Sequence, residues 1–247
     1  MLMKSTLLSV YLLKRLQNAK SLLPQIHSGS DPEHLHQYRV SLRRAHSLIK
    51  VYLKAHRDFS ASLKPLLKST NALREIDVLI MSINAEEYPS LLSNLVRYRN
   101  NLYQKLWHSE IVHQHEHTLR QSIDQLGRLQ YDLSNEALIE IGLNQYQKAI
   151  ASKKRLNHKS RAKKIHQVRI NCKLARYTLE FIHESHLLDV RKQIKRCKKI
   201  LNHFGDIQDT ANQLALLKDF CKSHASSECK ALYKARKKTF KKLKENL

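Results

Sequence analysis

Not one Asn-Gly or Asp-Gly pair occurs in this sequence, and only four glycines and four prolines interrupt its 247 residues. Two-residue hairpin turns need left-handed backbone at adjacent positions, which such pairs supply best. A chain without them has little means of building sheets from hairpins. Leu, Lys, Gln, Ala and Arg dominate instead, and all are good helix formers. The expected fold class is all-α.

Punctuation places eight helices. The first runs from about Lys4 to Leu23 and stops at Pro24, with Leu8, Leu12, Leu16 and Leu23 on one face. Asp31-Pro32-Glu33 opens the second, with Asp as cap and Pro at the first helical position, and it continues to about His56. A third spans about Ser60 to Ile83. Pro89 opens a long fourth, ending near Gly127. Ser134 and Glu136 begin a fifth that reaches about Asn157. The sixth covers Ala162 to Glu184. The seventh covers Leu188 to Lys222, with Gly205 as a candidate break. The last runs from about Ser226 to the C-terminus.

The second four helices resemble the first four. Leu35-His36-Gln37-Tyr38-Arg39-Val40-Ser41-Leu42-Arg43 pairs with Ile165-His166-Gln167-Val168-Arg169-Ile170-Asn171-Cys172-Lys173, at an offset of 130. Asn71-Ala72-Leu73-Arg74-Glu75-Ile76 pairs with Gly205-Asp206-Ile207-Gln208-Asp209-Thr210 at an offset of 134, so the second half carries about one extra helical turn. The first and fifth helices also correspond in position. Self-similarity of this kind predicts two similar four-helix bundles, roughly 1–128 and 129–247, with antiparallel neighbours where connections are short.

Charge narrows the function. There are 45 Lys+Arg against 21 Asp+Glu, a formal net charge of +24. Self-repulsion on this scale costs stability unless a polyanion neutralises it. Nucleic acid, an anionic membrane surface and a phosphate polymer all qualify as partners. No apolar run reaches the roughly 18 residues of a membrane span. The apolar stretch Leu7–Leu13 is cut by Lys14 and Arg15 and reads as part of an amphipathic helix, not a signal peptide. Cys172, Cys197, Cys221 and Cys229 form no Cys-x-x-Cys pair and are expected to be free thiols in a reducing cytosol.

Two helices carry the binding chemistry. His36, Arg39, Arg43, His46 and Lys50 are spaced 0, 3, 7, 10 and 14, and His166, Arg169, Lys173 and Arg176 are spaced 0, 3, 7 and 10. At 3.6 residues per turn each set forms one stripe, with cations about 5 Å apart in rise. Apolar residues lie elsewhere: Val40, Leu48, Ile49 and Tyr52 in one helix, Ile170, Leu174, Tyr177 and Phe181 in the other. Cation above cation is unfavourable within a helix, so its occurrence twice at matched positions points to an anionic guest. Arg offers phosphate a planar fork of donors, Lys a point charge, and His one or two donors according to protonation.

Further cations surround the stripes. They include Lys192, Lys195, Arg196, Lys198 and Lys199 in the seventh helix, Lys234, Lys237, Lys238, Lys241 and Lys242 in the last, and the run from Lys153 to Lys164. Some extend the patch and the rest are solvated surface. Glu75, Asp77, Asp206 and Asp209 are placed to orient neighbouring cations, though as surface pairs they would contribute little. His113-Gln114-His115-Glu116-His117 puts two imidazoles on one helix side, but without a further ligand motif it reads as a solvated helix rather than a metal site. No phosphate-cradling glycine loop or nucleophile elbow occurs. Aromatic platforms for single-stranded nucleic acid are also missing.

The two His-x-x-Arg helices, with Arg43-Arg44 after the first and Lys173-Leu174-Ala175-Arg176-Tyr177-Thr178-Leu179-Glu180 after the second, resemble the CHAD family, the conserved histidine α-helical domain. Leu73-Arg74-Glu75-Ile76-Asp77-Val78 and Phe204-Gly205-Asp206-Ile207-Gln208-Asp209 are similar to that family's paired motifs in the following helices. The resemblance covers nearly the whole chain, 1–247, as one domain. It implies two four-helix bundles related by a pseudo-two-fold axis around a basic central cleft or pore that binds inorganic polyphosphate. On this resemblance His36, Arg39, Arg43, Arg44, His166, Arg169, Lys173 and Arg176 line the site. Lys50, Lys195, Lys199, Lys237 and Lys241 extend it on grounds of charge. Asn71 departs from a position where the family often has Gly, Gln208 from the Arg74 of the first half, and Lys173 from the Arg of the first half.

The resulting expectation is a non-enzymatic polyphosphate-binding module in the cytoplasm that acts as a scaffold or localiser on polyphosphate granules. It needs no cofactor or metal. Nucleic acid is the second choice of partner. Affinity is expected to rise as His36 and His166 protonate near pH 6.5, and Arg39→Ala with Arg169→Ala is expected to weaken binding without unfolding.

Overall fold

Capping chemistry sets where several helices begin in the computed structural model, which describes residues 6–156, 160 and 162–245. Helix α1, Leu7–Leu22, starts where the Thr6 hydroxyl accepts from the Ser9 amide. A short 3-10 turn, Leu23–Gln25, follows it. Helix α2, Pro32–Tyr52, has Asp31 accepting from the Glu33 amide at 2.8 Å with Pro32 in the first turn, as its sequence predicts. Helix α7, Asn135–Lys154, is capped by Ser134. The predicted starts at Lys4, the end at Asn157, the chain terminus and parts of the Lys153–Lys164 run lie outside the described residues.

The third predicted helix is two, α3 (Arg57–Ser69) and α4 (Asn71–Met81). The break falls at Thr70. Its hydroxyl donates back to the Leu66 and Leu67 carbonyls, and Arg39 from α2 donates to the Leu67 carbonyl at 2.7 Å. These bonds satisfy the last carbonyls of α3, so the chain turns there without leaving polar groups orphaned. The fourth predicted helix is also two, α5 (Pro89–Leu106) and α6 (Ser109–Arg128). At this second break Trp107 leaves helical backbone and buries its ring edge-on to Tyr38 and His115. Helices α8 (Ala162–Glu184), α9 (Arg191–Ser223) and α10 (Ser227–Glu245) complete the fold, and α9 passes through Gly205 unbroken. Among the described residues there is no strand, and no helix is long and apolar enough to cross a membrane.

Helices α2 and α8 lie against each other, with α1 packed on α2 and α7 on α8. Leu8, Leu12, Leu16 and Leu23, one face in the sequence, are all buried in the main core. Full burial of such a side chain stabilises by ~1.5–3 kcal/mol. Phe181 of α8 stands edge-on to Tyr11 of α1 and Tyr52 of α2, so aromatic contacts fix the central pair. A second, smaller core joins α4, α5, α9 and α10 through Ile76, Leu91, Leu95, Leu217, Phe220 and Leu232.

The four thiols are not all free. Cys221 and Cys229 form a disulfide across the α9–α10 turn, with Cα atoms 5.9 Å apart, inside the span that such a bond bridges without backbone movement. The spacing of eight residues hid this, because two helix ends meet only after the turn at 224–226 is made. Cys172 and Cys197 are free and buried, and burial pushes their thiols up to about 11 and about 12.

Candidate functional site

The α8 stripe and the first three residues of the α2 stripe open onto one cleft of about 660 Å³, walled further by α4 and α9, whereas His46 and Lys50 do not line it. His36, Arg39 and Arg43 line it from α2, and His166, Arg169, Lys173 and Arg176 from α8. The second pair of matched segments closes it, with Asn71, Arg74 and Glu75 on α4 and Gly205, Gln208 and Asp209 on α9. Six Arg and Lys side chains therefore face three carboxylates, Glu75, Asp206 and Asp209, and two histidines.

Five of the six cations do one of two jobs, and the sixth, Arg176, pairs with Glu180 at 3.5 Å. Arg39 is 3% exposed and is already bonded, to the Leu67 carbonyl, the Thr70 hydroxyl and the Asn71 side-chain oxygen. Burial, reinforced by Arg43 and Arg74, pulls it down to about 9. Arg169 does the same on the other wall, donating to the Phe204 and Gly205 carbonyls of α9. These two arginines tie each stripe helix to the helix that faces it across the cleft. Asn71, a departure from Gly on the family pattern, serves here as an acceptor for Arg39. Arg39→Ala and Arg169→Ala each strand acceptors in the cleft walls, so each carries a stability cost of about 1–3 kcal/mol besides any effect on binding.

Arg43, Arg74 and Lys173 are the cations left to meet a guest. Among the described residues no hydrogen bond or ion pair engages Arg43 or Lys173, and one Arg74 guanidinium nitrogen (Nη1) is buried without a partner. In the sequence Arg74 stands out only as part of a matched motif. Its one legible signal was its place opposite Gln208 in that motif. Burial, then the fields of Arg43 and Arg169, draw Lys173 down to about 8. His36 is likewise held below the ordinary imidazole value, by burial and then by Arg74. The protonation of His36 expected near pH 6.5 thus belongs at lower pH.

Six of the expected site residues lie outside the cleft. Arg44 turns the other way, to Glu180 and Glu184 at 3.0 and 3.1 Å. Lys195 lies beside that acidic pair in a separate pocket, and Lys50 lines another with Lys54 and Lys148. Lys199 is exposed on α9, and Lys237 and Lys241 are exposed on α10. The family resemblance placed Arg44 in the site with its neighbour Arg43, but residues adjacent in a helix point about 100° apart, and the helical stripe holds Arg43 without Arg44. Asp77 is fully buried away from the cleft, gripped by Arg99 at 2.6 Å and by the Tyr103 hydroxyl at 2.8 Å. His115 is a core residue between Tyr38 and Ser69, drawn down to about 4 by burial, whereas His113 and His117 face solvent. Among the described residues no group of three or more metal-ligating side chains converges.

The sequence of residues 10–218 matches the family model of the CHAD domain. The chain belongs to the CHAD domain family. A crystal structure of the CHAD domain from the plant Ricinus communis superposes on this CHAD chain with a TM-score of 0.66 at 20% identity, covering 94% of this chain and 81% of that one. No curated protein matches the sequence. The matched span holds every cleft residue of this CHAD domain and ends before α10.

Proposed function

We propose that this CHAD domain binds a linear phosphate polymer, inorganic polyphosphate, in the cleft between α2, α4, α8 and α9, and does so without catalysis. The observation that carries the reading is the convergence of Arg43, Arg74 and Lys173 in one cleft with donors that no protein group satisfies. A row of phosphoryl oxygens supplies acceptors of the right charge and spacing for two guanidinium forks and an ammonium. Arg39 and Arg169 hold the walls, so the donors are positioned before the guest arrives and little ordering cost falls on binding. Each of the two sequence halves contributes residues to the cleft, and the protein serves as a scaffold or localiser on polyphosphate granules.

Competition tests the ligand class. Long-chain polyphosphate and RNA titrated against the same labelled protein at physiological salt should rank polyphosphate first, because the cleft offers cations but no row of aromatic stacking platforms. RNA displacing polyphosphate at equal phosphate concentration would instead assign the cleft to nucleic acid. Release of orthophosphate on incubation with Mg²⁺ would contradict the non-catalytic reading.

A further inference from the structure

Residues 130 apart meet opposite fates on the two flanks of the α2–α8 pair. On one flank Glu184 accepts from Tyr11 and Arg15 of α1 and from Arg44 of α2, at 2.9, 2.6 and 3.1 Å. Glu180 pairs with Arg44 and Arg176. Cations and carboxylates there neutralise one another. Carried to the other flank, the same register puts Ile141 for Tyr11, Gln145 for Arg15, Leu174 for Arg44, Lys50 for Glu180 and Lys54 for Glu184.

Those five residues all line one pocket of about 230 Å³, together with Lys148 and Asn144. Both carboxylates have become ammonium groups, and a third ammonium has joined them. No acid lines the pocket, and among the described residues no ion pair engages Lys50, Lys54 or Lys148. Asn144 and Gln145 add neutral amide donors. Leu174, Ile141 and Val51 give the pocket an apolar floor that limits competing hydration. Burial, then Lys50 and Lys64, hold nearby His46 below the ordinary imidazole value, in keeping with an electropositive setting.

We propose that this pocket between the end of α2 and α7 is a second anion site, separate from the cleft, for a small multiply charged phosphoryl group. The bound group takes the place that Glu180 and Glu184 occupy on the opposite flank. With about a third of the cleft's volume, the pocket suits a free phosphate or diphosphate, or the end group of a phosphate chain, rather than a polymer's interior. The inference does not depend on what fills the cleft.

Calorimetry with inorganic diphosphate on the full chain tests it, using Arg43→Ala with Lys173→Ala to disable the cleft. This variant should retain one saturable equivalent of diphosphate, and adding Lys54→Ala and Lys148→Ala should weaken that binding at least tenfold. No saturable binding in the cleft variant, or binding indifferent to the two lysines, overturns the site while leaving the cleft reading untouched. Lys50→Glu with Lys54→Glu restores the opposite flank's carboxylates. It should lose the diphosphate-induced rise in Tm; a retained rise counts against the proposal. Long-chain polyphosphate matching diphosphate per chain end identifies an end group as the ligand, and a preference for diphosphate identifies a small molecule. Dependence on polymer interior, with no dependence on chain ends, contradicts both.

Discussion

Lys173 shows most clearly how a single residue trades stability for binding. Its ammonium is held in a half-buried cleft beside Arg43 and Arg169, which draws its pKa down to about 8. In the free protein that charge is a liability. Lys173→Met should therefore stabilise the unliganded fold by about 0.5–2 kcal/mol in thermal melts while weakening polyphosphate binding, the usual cost of a site built for function. The pH dependence has a definite sign. The free protein loses the Lys173 proton as pH rises through about 8, whereas a bound phosphate holds it on. Affinity should thus be nearly flat from pH 7 to 8 and fall above 8, and Lys173→Arg should remove the alkaline fall. A titration series from pH 7 to 10 with both proteins decides this. His36, depressed by burial and Arg74, should add to affinity only below pH 6.5.

At the scale of elements, the cleft depends on helix junctions that carry no ligand-facing charge. Arg99 of α5 reaches Asp77 of α4 and the Ser28 and Ser30 carbonyls of the loop before α2, so one guanidinium fixes three segments. Asp77→Ala leaves Arg99 buried and uncompensated and should cost about 3–5 kcal/mol in urea unfolding. The loss should appear as a lower midpoint with polyphosphate affinity retained in the folded fraction. The α8 stripe, the start of the α2 stripe, the capped starts at Asp31 and Ser134 and the leucine face of α1 were legible in the sequence, because helical period and capping are local properties; that His46 and Lys50 leave the cleft was not. The breaks at Thr70 and Trp107 were not. Thr70 ends a helix because Arg39, 31 residues earlier, shares its acceptors, and Trp107 does so because Tyr38 and His115 make room for its ring. Spacing does separate Arg43, which faces the cleft, from Arg44, which faces Glu180 and Glu184; only the family motif put both in the site.

For the whole molecule, a net charge of +24 makes the unliganded state one of self-repulsion that a polyanion relieves. Polyphosphate at a hundred times its Kd should stabilise the fold by about 2.7 kcal/mol, read as a rise in Tm. Charge alone marked Lys50, Lys195, Lys199, Lys237 and Lys241 as candidates. The fold sorts them, leaving Lys199, Lys237 and Lys241 on outer surfaces, where they strengthen the long-range field without touching a cleft-bound chain. The measurement closest to the central claim is the affinity of polyphosphate of defined length for the native protein and for Arg43→Ala with Lys173→Ala, across a range of salt. The variant should keep its helicity, bind at least tenfold more weakly, and show a log-affinity against log-salt slope shallower by about one for each cation removed. A folded variant with unchanged affinity and an unchanged salt slope would mean that the polymer lies elsewhere on the protein.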